Sequence, residues 1–318
     1  MKTMTSIIHA TRLMIFFLVF SIPAQSAAAG EKAQIRFAFQ DRIGSVLPII
    51  AVKKGFFADE GLAVKALRFS SGPACAEALY SGAADIAGMG DTTAIIMVTR
   101  SEKFAIIASH VVGEHRHRIM VRKDSGMRTL NDLKGKRIGV KKGTSTYGGL
   151  LAALEKAHIP RDGVDIIDLT PSTMPDALMA GSLDAFAASE PTPSTAEQNG
   201  ACELTTLGGL GNEYPILILA NNDRLTRKKD AVKRLLHAMK RAGQYAADYP
   251  EETAAIMADE TGLSLATTRK AIQRHEYRLR LDEAIISSLE KTALFLKEQY
   301  IISNFPDFNT AARPEFLE

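Results

Sequence analysis

Two acids, Asp91 and Glu190, hold the same place in two copies of one motif. The first copy, VKALRFSSGPACAEALYSGAADIAGMGD, runs from Val64 to Asp91, and the second, VDIIDLTPSTMPDALMAGSLDAFAASE, from Val164 to Glu190. Their shared core is A-L-x-x-G-x-x-D: Ala78, Leu79, Gly82 and Asp85 fall on Ala177, Leu178, Gly181 and Asp184. Carboxylates at matching ends of two like units could face a ligand held between them. Hydroxyls gather in the same regions. Thr144, Ser145 and Thr146 stand at a helix start, where N–H groups and the helix dipole favour an anion. Ser71 and Gly72 open another helix, with Pro73 in its first turn. Anion-seeking donors opposed by two acids suit a ligand carrying an amine beside its acid group. N-capping is the competing role: Asp91 could hold the N–H of Thr93 or Ala94, and one of the three hydroxyls could cap its own helix.

Other reactive side chains offer less. His115 and His117 would share one face of a strand, but a third ligand at metal spacing is missing and Arg116 and Arg118 beside them disfavour a cation, so no metal is expected. Cys75 and Cys202 are too few for a disulfide scaffold; small buried thiols are the default and a bridge between lobes the alternative.

The elements that position these residues follow a β-α-β-α-β order. AQIRFAFQ, Ala33 to Gln40, alternates around Ile35, Phe37 and Phe39 as a strand, and Val46, Ile49, Ile50 and Phe57 recur at helical spacing. Strands are predicted at Val64–Phe69 and Asp85–Met89, with a helix over Thr93–Thr99. The order implies a parallel sheet with its sites at one edge. Two extended segments between Phe104 and Gly126 lead out of this unit, and the plan restarts with a strand at Arg137–Val140. In the second copy, strands at Val164–Leu169 and Asp184–Ala188 flank a helix at Pro175–Ala180. NEYPILILANNDRL, Asn212 to Leu225, carries the chain back. A stripe of Ala231, Leu235, Ala238 and Met239, a helix from Pro250 to Gly262, and the amphipathic LDEAIISSLEKTALFLKEQY form a bracing layer.

A chain of 318 residues exceeds one ordinary core, so two domains are expected. Ahead of them, Lys2 and Arg12 flank the start of LMIFFLVFSI, followed by Pro23 and SAAAG, which reads as a signal peptide over 1–29 cleaved near Ala28 or Ala29. Losing Lys2 and Arg12 takes the net charge from +3 to about +1, against a nucleic-acid partner bound through a broad basic surface.

The chain resembles the periplasmic solute-binding proteins of ABC importers for sulfonates, nitrate and taurine, with pyrimidine-precursor binders as relatives. The resemblance lies in AVKKGFFADEGL, ALYSGAADIAGMGD, DLKGKRIGVKKGTS, ALMAGSLDAF followed by SEP, and a terminal PDF, in that order. It implies an α/β, two-lobed periplasmic-binding-protein fold (type II), each lobe a mostly parallel sheet flanked by helices, joined by two crossover strands. Lobe one would comprise 30–116 and 215–318, and lobe two 117–214. It further implies a periplasmic monomer without cofactor that clamps a small organic anion or zwitterion, sulfonate- or taurine-like, by hinge closure. The protein would deliver it to an inner-membrane permease with a cytoplasmic ATPase. Carried over by residue, the pocket would hold Gln40, Arg42, Ser45, Ser71, Gly72, Asp91 and Thr92 from lobe one, and Lys142, Thr144, Ser145, Thr146, Thr170 and Glu190 from lobe two. Tyr214 would wall the cleft. Many relatives have an aromatic residue where this chain has Ser189, which removes a stacking surface. A ligand-presenting sensor and an enzyme on the same fold are the rival functions. No nucleophile, base and orienter stand together at the strand ends, which counts against the enzyme.

Overall fold

The structure, a computed structural model, describes residues 32–318. The signal peptide expected over 1–29 lies outside the described residues. Ten strands form two sheets of five. β1 (Ala33–Gln40), β2 (Leu62–Phe69), β3 (Ile86–Gly90), β4 (Phe104–Val111) and the late β10 (Ile216–Asn221) make the first, in the order β2-β1-β3-β10-β4. β5 (His117–Arg122), β6 (Arg137–Val140), β7 (Asp165–Asp168), β8 (Ala185–Ser189) and β9 (Ala201–Thr206) make the second, in the order β7-β6-β8-β5-β9. In each sheet one inner strand, β10 or β5, runs antiparallel to both its neighbours while the others run parallel.

The period-two pattern of β1 sorts its side chains as expected. Ile35, Phe37 and Phe39 pack on one face with α1 (Val46–Lys53) and the long α7 (Lys229–Asp248), and Ala38 packs on the other. That second face is covered by α2 (Gly72–Tyr80), α3 (Asp91–Arg100) and α9 (Glu283–Glu298). Strand β3, IAGMG, is buried along its whole length, as a central strand between two helical layers must be. In the second sheet, α4 (Ser145–Lys156) covers one face, while α5 (Met174–Met179) and α6 (Thr192–Gln198) cover the other. The bracing layer forms too: Ala231, Leu235, Ala238 and Met239 are buried, and α8 (Pro250–Thr261) stops at Gly262, whose φ of 71° suits a residue without Cβ. Helix α6 and strand β9 are additions that the sequence pattern did not indicate.

The repeated Asp has a structural task. Asp85 receives the N–H of Arg36 at 2.9 Å and its guanidinium at 3.2 and 2.9 Å; Asp184 receives the N–H of Arg137 at 2.9 Å and its guanidinium at 3.1 and 3.0 Å. The backbones answer in kind, Asp85 N–H to Arg36 C=O and Asp184 N–H to Arg137 C=O, each at 2.9 Å. Burial opposes the charge of Asp85, but the Arg36 hydrogen bonds outweigh it and hold the carboxyl below the usual range. Each clasp fixes the strand after the motif helix to its parallel neighbour, β3 to β1 and β8 to β6. Two crossovers, between β4 and β5 and between β9 and β10, link the sheets and touch each other where Gly113 N–H donates to Glu213 C=O at 2.9 Å.

Candidate functional site

The strand ends of both sheets converge on a cleft of about 440 Å³. Asp41, Arg42, Arg68, Phe69 and Ser70 line it from the first sheet; Lys141, Thr144, Thr146, Met174, Ser189, Glu190, Thr192 and Thr195 are among those from the second. Of the fourteen residues expected there, Arg42, Thr144, Thr146 and Glu190 line this cleft.

Charge within the cleft is mostly compensated. Arg68 pairs with Asp41 and Glu260, and Lys141 with Asp168 at 3.1 Å. Glu190, about 1% exposed, accepts from Arg118 at 2.8 Å and from the N–H of Ser194 at 3.2 Å. Arg118 also holds Glu197 and Glu203. Arg42 differs. Among the described residues it has no carboxylate partner; its Nη1 crosses from the first sheet's loops to Ser189 Oγ of β8, 3.0 Å away. Burial draws its pKa down to about 10, so it remains a cation at neutral pH. Ser189 is thus the landing point of the one uncompensated cation lining the cleft among the described residues.

The remaining expected residues are placed elsewhere. Asp91 is wholly buried, taking the N–H of Thr92 at 2.6 Å and Nδ2 of Asn212 at 2.9 Å. Neither Thr93 nor Ala94 is its donor. Gln40, Ser45, Ser71 and Gly72 are buried beneath the cleft rim; a Cβ at Gly72 would lie 3.0 Å from Thr93 Oγ1 and 3.1 Å from Gln40 Nε2. Thr92 and Ser145 lie in a seam between the two lobes, where α3 and α4 start against each other: a Cβ on Gly90 would be 2.1 Å from Ser145 Oγ, and one on Gly148 2.8 Å from Thr92 Oγ1. Thr93 Oγ1 donates across the same seam to the carbonyl of Gly143 at 2.7 Å. Lys142 is exposed and its N–H bonds Asp168, while Thr170 is exposed and caps the turn at Thr173. Tyr214 does not wall the cleft; it is buried at the return crossover and donates its hydroxyl to Leu207 C=O at 2.7 Å.

An amine on the ligand is needed only if Asp91 and Glu190 are both unpaired, and both are paired within the protein. Sequence reasoning missed Arg68, Lys141 and Thr192. Lys141 and Thr192 each lie within three residues after a strand that feeds the cleft, and Arg68 is the penultimate residue of β2, so strand-end position was the available signal. His115 is exposed and bonds Thr206 Oγ1 at 2.7 Å, whereas His117 is buried, so the two do not form a pair. No group of metal-ligating side chains occurs among the described residues. Cys75 and Cys202 are both free thiols.

Comparison with known proteins agrees with this architecture. The alkanesulfonate-binding protein SsuA of Xanthomonas axonopodis pv. citri, solved bound to MOPS, superposes with a TM-score of 0.82 at 23% identity, over 89% of this chain and 99% of that one. A Bacillus subtilis (strain 168) protein provisionally named an aliphatic sulfonates-binding protein is 27% identical over 289 residues, 88% of this chain and 86% of the relative. The desulfurization enzyme DSZB shares the fold at a TM-score of 0.70 and 18% identity, over 90% of this chain and 97% of that one. The fold is that of the periplasmic binding proteins, with two lobes around a cleft. The model of the NMT1/THI5-like family matches residues 45–253, and the chain belongs to that family.

Proposed function

We propose that this protein is the extracytoplasmic solute-binding component of an ABC importer and that it captures a small organic anion, with an alkylsulfonate as the leading candidate. Arg42 carries this reading: a half-buried guanidinium without a carboxylate, spanning the cleft, needs an anion to balance it. Thr144 and Thr146 line the cleft beside it, their hydroxyls engaged with Lys141 C=O and His117 Nδ1. Residues 30–116 and 215–318 act as one lobe and 117–214 as the other, closing on the ligand by a hinge and presenting it to an inner-membrane permease with its ATPase. Residues 1–29 direct export to the periplasm and are removed near Ala28 or Ala29. With Asp91 and Glu190 engaged, a plain alkylsulfonate fits better than an aminosulfonate such as taurine.

The likeness to DSZB favours a second reading, an enzyme on the same fold. Cys75 lies near enough to Arg42 to feel its charge, but burial dominates and pushes the thiol up to about 12. Such a thiol keeps its proton at neutral pH and makes a poor nucleophile. Calorimetric titration with hexanesulfonate tests both readings. Wild type should bind, Arg42→Gln should bind at least tenfold more weakly for the loss of a charge-assisted bond of about 1.5–3 kcal/mol, and the ligand should be recovered unchanged. Equal affinity in Arg42→Gln would remove Arg42 from the site, and a sulfonate converted on incubation would establish the enzyme.

A further inference from the structure

Behind the cleft wall, the first crossover delivers two adjacent side chains that the cleft geometry leaves unused. Arg116 and His117 are each about 1% exposed. Arg116 donates Nε and Nη2 to the carbonyl of Tyr214 at 3.0 and 2.7 Å, while its Nη1 is buried without a partner. His117 meets Thr146 Oγ1 through Nδ1 at 2.7 Å and sets its ring edge to Tyr214, centroids 4.8 Å apart; its Nε2 is likewise buried without a partner. Thr146 lines the cleft, and so does Ser189, which faces His117 in the β5–β8 ladder and receives Arg42. His117 is therefore one hydrogen bond behind the wall. Ser145 Oγ and Thr92 Oγ1, in the adjoining seam, are also buried and unpartnered.

This clustering is unusual because folded proteins pair nearly all their buried polar atoms. Its charge is unbalanced as well. Arg116 and Arg42 each lack a carboxylate partner among the described residues, and the nearest opposing charge, Asp91, is already bonded to Thr92 and Asn212. Burial, then the two arginines, hold His117 neutral. In the tautomer in which Nδ1 accepts from the Thr146 hydroxyl, the imidazole proton sits on Nε2 and the unpartnered atoms of both residues are then donors.

We infer that Arg116 and His117 form an inner oxyanion subsite, reached between Thr146 and Ser189, in which the head group of the organic anion places the oxygen that Arg42 does not hold. This rests on the anion-binding function proposed above and extends it to residues behind the visible wall. The anion supplies the missing counter-charge, and a neutral imidazole donates without adding a cation.

The test pairs titration with a direct view of the imidazole. In wild type, saturation with hexanesulfonate should move the ¹⁵Nε2 resonance of His117, identified by its loss in His117→Phe. That variant keeps the ring against Tyr214; its affinity should fall at least tenfold, while the ligand-free melting temperature stays within a few degrees. Wild type that binds hexanesulfonate with the resonance unmoved, or His117→Phe binding within twofold of wild type, would overturn the subsite and leave the anion-binding function standing. Wild type that binds no organic anion removes both. If His117→Phe does not fold, the polar variant His117→Gln identifies the resonance and the wild-type shift alone decides.

Discussion

Arg118 is enclosed by three carboxylates, Glu190, Glu197 and Glu203, and is itself only about 4% exposed. Burial alone would weaken its charge, but the surrounding acids outweigh burial and raise its affinity for the proton. Glu190 depends on it most, being the deeply buried member of the group. Arg118→Met should therefore destabilise the protein by about 3–5 kcal/mol, the usual cost of leaving a buried charge alone. Double substitution with Glu190→Gln should recover part of that loss in chemical denaturation; a single variant as stable as wild type would mean that Glu190 finds another partner. At this scale the sequence was a partial guide. Residue types marked the strand ends, and Arg42 and Thr146 were legible there. Partnership was not: nothing near Glu190 in the chain announces Arg118, seventy-two residues earlier, and an acid without its partner reads as a ligand contact.

The two motif copies build equivalent clasps, Arg36 with Asp85 and Arg137 with Asp184. Their surroundings differ: Asp85 is about 5% exposed and also draws Arg224 and Lys228, whereas Asp184 is about 25% exposed. Water screens the second clasp more than the first. Asp85→Asn should cost about 1–3 kcal/mol and Asp184→Asn less, as measured by urea denaturation of each single variant; the reverse order would show that burial does not rank them. The repeat made these elements legible, because A-L-x-x-G-x-x-D fixes helix, turn and third strand together. Helix α6 and strand β9 escaped because TPSTAEQ is short and mostly polar, and ACELTT is short with polar and apolar residues in no clear period. The antiparallel strands β5 and β10 were seen as extended segments, but their places inside the sheets come from long-range pairing.

Across the whole molecule the lobes meet along the seam of α3 and α4, and glycine decides how closely. Gly90 has an ordinary extended backbone, φ −70° and ψ 162°, so a side chain there strains nothing locally and meets only the other lobe. Gly90→Val should hold the lobes apart. Small-angle scattering at saturating hexanesulfonate should then show a larger radius of gyration than wild type, and Ser145→Gly in the same chain should reverse much of the difference. An unchanged radius would mean that the seam does not limit closure. Two lobes and a cleft were legible from the duplicated motif. Their seam was not, since Thr92 and Ser145 have the composition of a ligand pocket and lie where the helix starts of the two lobes meet.

Strand β4 ends at Val111 and β10 begins at Ile216, and the two residues face each other in an antiparallel ladder. The second sheet is spliced into what would otherwise be a hairpin. Moving β10 ahead of β1 would make the two strand orders identical, so the halves are circular permutants of one another. Sheet two is therefore complete once β9 has emerged, in a single pass of the chain. Sheet one is not: its strands β3 and β4 wait with open edges for the inner strand β10, which arrives last. In a chain made from its N-terminus, the second lobe can finish first, and the first lobe is sealed only when residue 216 and those after it come back to it.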